Sequence, residues 1–419
     1  MKTRHRRWRR LLAAVLAGTL LAVRAFAAER ELDESPPPSS AEEIETPIQR
    51  LFPLSEERPP LIPWVGRQME KLPPFFADTR FEVRYRTAYI RKDRTVDVLS
   101  EAWAMGGSLY YRSGWLEDAF ALELEGFTSQ PIVAPNDRGG TLLLAPVQKG
   151  YSVLGIANAK LRYKGLQLTG FRQYLDLPYV NRNDSRMTPN TFESLTEALG
   201  LDKKRGLAHA GAVWDPHENF HAGIVGGIVP DLFAGIYSEF GVGRTFSNEL
   251  QLRLDGQFTY QWDVGQDLLD EVFEDTWNFG LRASTSYAGA VFRLGFSITG
   301  PDAGVFNPFG SSPSYVDLMQ KGFNRSDEKA VLASISYDFS RLGAEGLSLI
   351  LNYAGGFDGR LLGRRGQGHE LDLTVDYKLK QGWLKSFWLR VRGSWLTERL
   401  ADRSGSDVRV ILRYDFPVI

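Results

Sequence analysis

The chain contains no cysteine, which excludes a disulfide framework, an iron–sulfur cluster and a thiolate zinc site. It has only 5 methionines and 5 histidines in 419 residues, little material for imidazole catalysis. Neither sign of charge dominates, with 50 basic against 51 acidic side chains, so it is not a generally basic nucleic-acid binder. The apolar run Leu11–Val23 is too short to span a bilayer as a helix. What the chain does have is 43% hydrophobic residues, 12% aromatics and 41 glycines. That composition excludes bulk disorder and points to a β-rich fold.

The N-terminus reads as a targeting segment. Met1–Arg10 carries six basic residues and no acid, Leu11–Val23 is the apolar region, and Ala25-Phe26-Ala27 is a small-x-small cleavage site. Together they predict a secretory signal peptide over 1–27. The arginines are too scattered for a twin-arginine signal. Removing 1–27 leaves 43 basic against 51 acidic side chains, a net −8. An exported, acidic, cysteine-free protein fits a bacterial envelope. Residues 28–79 are rich in proline (Pro36-Pro37-Pro38, Pro59-Pro60, Pro63, Pro73-Pro74) and read as an extended periplasmic N-terminal segment. It includes short amphipathic pieces such as Trp64–Leu72.

From residue 80 to 419 the hydrophobic period is two. Phe81–Tyr89, Leu371–Lys380, Leu389–Trp395 and Val408–Phe416 alternate apolar and polar side chains along their length. Such a strand puts one face in an apolar medium and the other in a polar one. Sixteen runs of about ten residues, the length of a tilted membrane-crossing strand, start near Phe81, Ser100, Asp118, Ser152, Leu166, Gly206, Asn219, Leu232, Asn248, Glu274, Gly289, Lys329, Gly346, His369, Lys385 and Ser406. Short turns such as Lys164-Gly165 and Gln381-Gly382 alternate with long connections at 128–151, 175–205, 263–273, 299–327 and 354–368; Val229-Pro230-Asp231 is a short exception. This is the pattern of an all-β, transmembrane antiparallel β-barrel. An even strand count puts both termini in the periplasm, and closure removes edges that lipid could not satisfy. The barrel implies outer-membrane lipid and lipopolysaccharide as surroundings. The terminal Tyr414–Ile419, which alternates late aromatics, partly matches the signal read by the barrel-assembly machinery.

Several stretches resemble the OprD family of bacterial outer-membrane porins, over nearly all of the chain from Pro73 on. Pro74–Thr79 running into Val83–Tyr89 is similar to that family's first strand, and Leu177–Phe192 (LPYVNRNDSRMTPNTF) to its third-loop segment. Val229–Phe233, Asp327–Ala330, Gly368–Leu373 and Val408–Ile411 are similar too. The resemblance implies an eighteen-stranded barrel, passive uptake of small, often carboxylate-bearing solutes, inward-folded loops and a row of basic wall residues. The stretch between Phe192 and Leu207 is too short for one family hairpin, in keeping with a count of sixteen; the expectation is therefore 16–18 strands.

Side-chain parity identifies the lumen wall. Arg84 and Arg86 on the first strand, Arg390 and Arg392 on the penultimate one, and Arg409 and Arg413 on the last all oppose the apolar parity. Closure makes these three strands neighbours, so six arginines share one stretch of wall. Lys160, Arg162 and Lys164 share a parity and form a candidate second basic column. Guanidinium forks suit carboxylates, and stepped weak sites pass an anion along. The competing view is that these arginines brace the wall against Glu82, Asp372, Asp376 and Asp415. By resemblance, Asp184 and Arg186 are constriction candidates, with Tyr315, Asp317 and Asp327 in the long loop as weaker ones.

His217-Glu218-Asn219-Phe220-His221 spells the H-E-x-x-H zinc signature. That chemistry needs a helix; in a strand the two histidines would stand about 13 Å apart. The sequence therefore predicts a porin without cofactor, metal site or catalysis, for passive diffusion of small organic acids or other small anionic or zwitterionic solutes. The alternatives are a plugged structural or adhesive barrel, and a barrel hydrolase.

Overall fold

The computed structural model describes residues 60–419 except 96–98, 165, 193–207, 267–273, 362, 383, 386 and 400–403. The signal segment and most of the proline-rich segment lie outside the described residues. Two short helices, α1 (Pro63–Met69) and α2 (Pro74–Ala77), lead into the sheet. The strands are β1 (Arg80–Arg94), β2 (Ser100–Arg112), β3 (Phe120–Val133), β4 (Tyr151–Tyr163), β5 (Leu166–Arg172), β6 (Asp176–Leu177), β7 (Val180–Asn181), β8 (Ala208–His217), β9 (Phe220–Val229), β10 (Phe233–Thr245), β11 (Gln251–Asp263), β12 (Thr276–Tyr287), β13 (Ala290–Thr299), β14 (Lys329–Asp338), β15 (Leu347–Leu361), β16 (Arg364–Lys378), β17 (Trp388–Glu398) and β18 (Gly405–Pro417).

Sixteen of these form one antiparallel sheet, and β6 and β7 pair separately inside a loop. The first and last long strands pair in unbroken register from Glu82–Pro417 to Arg94–Gly405, which joins the two ends of the chain. The order then runs β5 through β1 to β18 and on down to β8. Among the described residues sixteen strands make up the sheet, within the 16–18 expected; the stretch 193–207, where the family hairpin would fall, lies outside the described residues. The starts agree with the alternation to within a few residues. The largest departure is at β15–β16, where 354–368 is not a long loop: the ladder continues to Leu361–Arg364 through a register shift between Gly356 and Gly359. The glycines read as a break are instead a bulged extension.

The two faces of the wall differ as the period demands. Trp103, Leu109, Leu294 and Trp395 point outward and are 42–67% exposed, a belt that would be adhesive in water and is satisfied in lipid. No helix among the described residues is long and apolar enough to cross a membrane; the strands do so. Inward positions are polar, as at Gln257, Thr259, Asn278, Thr374 and Asp407.

Three apolar clusters on the inner wall hold the connecting loops down inside the barrel. Leu143, Leu144 and Met187, from two loops, pack on Ala88, Ile90, Ala102, Ala104 and Ile411. Val180 and Phe309 pack on Val229, Leu232 and Phe233. Val316 and Phe323 pack on Ala330, Leu332 and Ala354. The small wall residues leave the space that the loop side chains fill.

Candidate functional site: a basic wall facing two stitched loops

The loop 173–192 meets the loop 300–328. Their junction is Asn181. Its backbone N–H donates to the Phe309 carbonyl at 3.2 Å, its side-chain amide donates to the Ser311 carbonyl at 2.9 Å, and its Oδ1 accepts from the Ser311 N–H at 2.8 Å and hydroxyl at 3.0 Å. The second loop is anchored to the wall as well. Met319 and Gln320 donate backbone N–H groups to Asp372 (3.0 Å) and Glu370 (2.7 Å) of β16. Lys321 pairs with Glu328 and Glu398 at 3.0 and 2.8 Å, and Arg325 with Glu398 at 3.1 Å.

The six arginines stand on three adjacent strands, as the parity requires, with Arg86–Arg413 and Arg392–Arg409 in register. Five of them have carboxylate partners. Arg84 pairs with Glu82 and with Glu125 of β3, both at 2.8 Å, and lies 4.0 Å over the Tyr110 ring. Arg86 pairs with Asp184 and also donates to the Arg186 carbonyl, which ties the first loop to β1. Arg390 grips Asp376 with two bonds of 2.6 and 2.7 Å. Arg409 holds Asp407 at 2.7 Å and Arg413 holds Asp415 at 3.0 Å. Arg392 differs: among the described residues it has no carboxylate within ion-pair distance and donates only to the Thr374 hydroxyl at 3.2 Å. Ion pairing thus engages five of the six guanidiniums and leaves Arg392 outside it.

The unneutralised charge gathers at one level. Arg186 has no acidic partner among the described residues. Burial and the neighbouring Arg409 guanidinium both loosen its proton relative to an ordinary arginine. Lys92, opposite Asp407 in register, feels Arg409 and Arg186. Lys92 and Arg409 gather around the Asp407 carboxylate with Arg186 beside Arg409, while Arg392, in register with Arg409, also feels Asp372 and Asp376. Such a cluster favours an entering anion over a cation.

The remaining candidates separate. Lys160 pairs with Glu123 at 2.8 Å, and Arg162 pairs with Asp118 and stacks 4.0 Å over Trp115. The second column is neutralised near a turn and does not extend the ladder. Asp184 pairs with Arg86 of β1, and Arg186 lies beside Arg409. Tyr315 lies on the far wall, its ring 4.4 Å from the Arg282 guanidinium. Asp327 pairs with Arg360 and Arg365, bracing the extended β15–β16 hairpin away from the ladder. His217 and His221 flank a strand–turn–strand corner, and His221 bonds Asp215 (2.7 Å) and Glu239 (2.9 Å). Missed by the sequence reading were Asn181, Lys92 and the inward Arg253, Arg282 and Arg293. The same parity argument, applied to β11–β13, would have found the last three.

Asp317 carries a pH dependence. Burial and the Asp372 carboxylate push its pKa up to about 7. It is neutral below that value and ionised above it, so the lumen gains one negative charge as pH rises from about 6 to 8. Anion preference should fall over that interval in reversal-potential measurements. Asp317→Asn should diminish the step, and a step of undiminished size in that variant would exclude Asp317 as a source.

A family model described as outer membrane porin, OprD family, matches residues 73–198 and 194–418. No curated protein sequence matches the chain. Among solved structures, Pseudomonas aeruginosa OccK9 (OpdG) superposes with a TM-score of 0.75 at 22% identity, over 82% of this chain and 100% of that one. Pseudomonas aeruginosa OpdK, solved with vanillate, gives 0.73 at 20% identity, over 82% and 100%. Pseudomonas aeruginosa OccK2 (OpdF), solved in complex with glucuronate, gives 0.71 at 18% identity, over 83% and 100%.

Proposed function

Because the chain belongs to the OprD family of outer-membrane porins, we propose that it admits small organic acids by passive diffusion, without catalysis. The observation that carries this is the cation cluster of Lys92, Arg186, Arg392 and Arg409 along the β1–β18–β17 wall, where among the described residues only Arg409 has a carboxylate within ion-pair distance. An anion enters from the long-loop side and passes the Asn181 stitch. It meets the unpaired cations and moves down past the paired Arg390, Arg413 and Arg84. Each pairing carboxylate limits how tightly an anion is held, and weak serial sites favour flux over retention. Vanillate and glucuronate, the compounds in two of the similar structures, are both organic acids. In this reading the short-turn end and both termini face the periplasm. Lipopolysaccharide surrounds the long-loop end, and the assembly machinery engages β18.

Swelling of liposomes containing the purified protein tests this. Monocarboxylates should drive faster swelling than neutral sugars of equal size. Equal rates for the two classes would contradict the reading.

A further inference from the structure

A second group of arginines stands on the wall away from the ladder. The ladder is centred on β18; β12 lies six strands further round the sixteen-stranded order, nearly opposite. Arg253 of β11 is in register with Ser284 of β12, and Ser284 with Arg293 of β13. All three have inward parity. Arg282, one inward step along β12, completes the group, and the ring of Tyr315 covers it at 4.4 Å. These side chains lie within about four residues of the short-turn ends of their strands, roughly 13 Å of strand length.

Three features mark this row as more than a brace. A single carboxylate, Asp255, serves two guanidiniums: Arg253 at 2.6 Å and Arg282 at 3.1 Å. One positive charge is therefore left over between them. Ser284 is 5% exposed, and its hydroxyl makes no hydrogen bond although arginine strands flank it on both sides. A buried hydroxyl without a partner is costly unless a ligand or water completes it. Finally, the neighbouring strand gives up a side chain to admit the guanidinium. A Cβ on Gly241 would lie 2.4 Å from the Arg253 Nη2 and 2.8 Å from the Asp255 Oδ1.

We propose that Arg253, Ser284 and Arg293 form a second oxyanion station, which takes a small carboxylate near the short-turn mouth after it leaves the ladder. The ligand accepts from the Ser284 hydroxyl and from the guanidinium fork of Arg253, the donor geometry that suits a planar carboxylate. This rests on the anion-diffusion reading above and adds to it an exit site on the opposite wall.

Single-channel conductance of the full protein, titrated with sodium acetate in planar bilayers, tests it. Removing a charge alters any pore, so the decisive variants keep the charge. Ser284→Ala is expected to raise the half-saturating acetate concentration about tenfold, the loss of one hydrogen bond to a charged carboxylate. Ser284→Thr, which keeps the hydroxyl, should restore saturation. Arg253→Lys, which keeps the charge but not the fork, should weaken saturation as Ser284→Ala does. Wild-type saturation in both Ser284→Ala and Arg253→Lys would overturn the station. If Arg392→Gln still lowers anion preference in that case, the ladder reading survives; if it too changes nothing, that reading fails separately.

Discussion

Arg392→Gln should produce the largest loss of anion preference of any single change on the ladder. Its guanidinium has no carboxylate within ion-pair distance among the described residues, and Asp372 and Asp376 act on it only from farther off, so more of its charge acts on the pore than at the paired arginines. A unit charge about 4 Å from an ion is worth about 1 kcal/mol even in water-like surroundings, or about fivefold in local anion occupancy. Removing it should therefore cut the anion-to-cation permeability ratio several-fold without unfolding the barrel, since only a bond to a threonine hydroxyl is lost. The control is the double variant Arg390→Gln with Asp376→Asn. It deletes a two-bond ion pair but leaves lumen charge unchanged, so its permeability ratio should stay near that of the wild type. Similar ratios in Arg392→Gln and in the control would show that unpaired charge does not set selectivity.

Asn181→Ala should widen the pore. The substitution removes three side-chain hydrogen bonds to Ser311, each worth about 1 kcal/mol net. Together they shift the balance between stitched and separated loops by a factor on the order of 100. Conductance should rise and the size limit for neutral sugars should relax, while the strand wall, which Asn181 does not join, stays intact. Gly310→Ala offers an independent route to the same result. A Cβ there would stand 2.5 Å from the Asn181 Oδ1 and 2.8 Å from its backbone nitrogen, so the loops must part to accept it. Unchanged conductance in both variants would mean the junction does not define the constriction.

The strands and the inward arginines were legible because both rest on a period of two, which local sequence carries without knowledge of neighbours. Arg84, Arg86, Arg390, Arg392, Arg409 and Arg413 needed only parity and the pairing of β1 with β18. Which of them are neutralised was not legible. Arg84 is held by Glu125, 41 residues away, and Arg86 by Asp184, 98 residues away. Neither distance has a period to announce it. Loop positions were the least accessible. Asn181 meets Ser311 across 130 residues, and Asp327 had no parity to separate a hairpin brace from a pore residue. At β15–β16, closely spaced glycines imitate a loop but form a bulge, because a ladder can extend past the membrane when its partner strand extends with it.

The reversal potential of the wild-type channel in a tenfold potassium chloride gradient at pH 6, with Asp317 neutral, bears most directly on the claim that the cations around Arg186 and Arg392 govern this pore. A potential of the sign set by chloride is the expected result. A potential set by potassium would contradict the account.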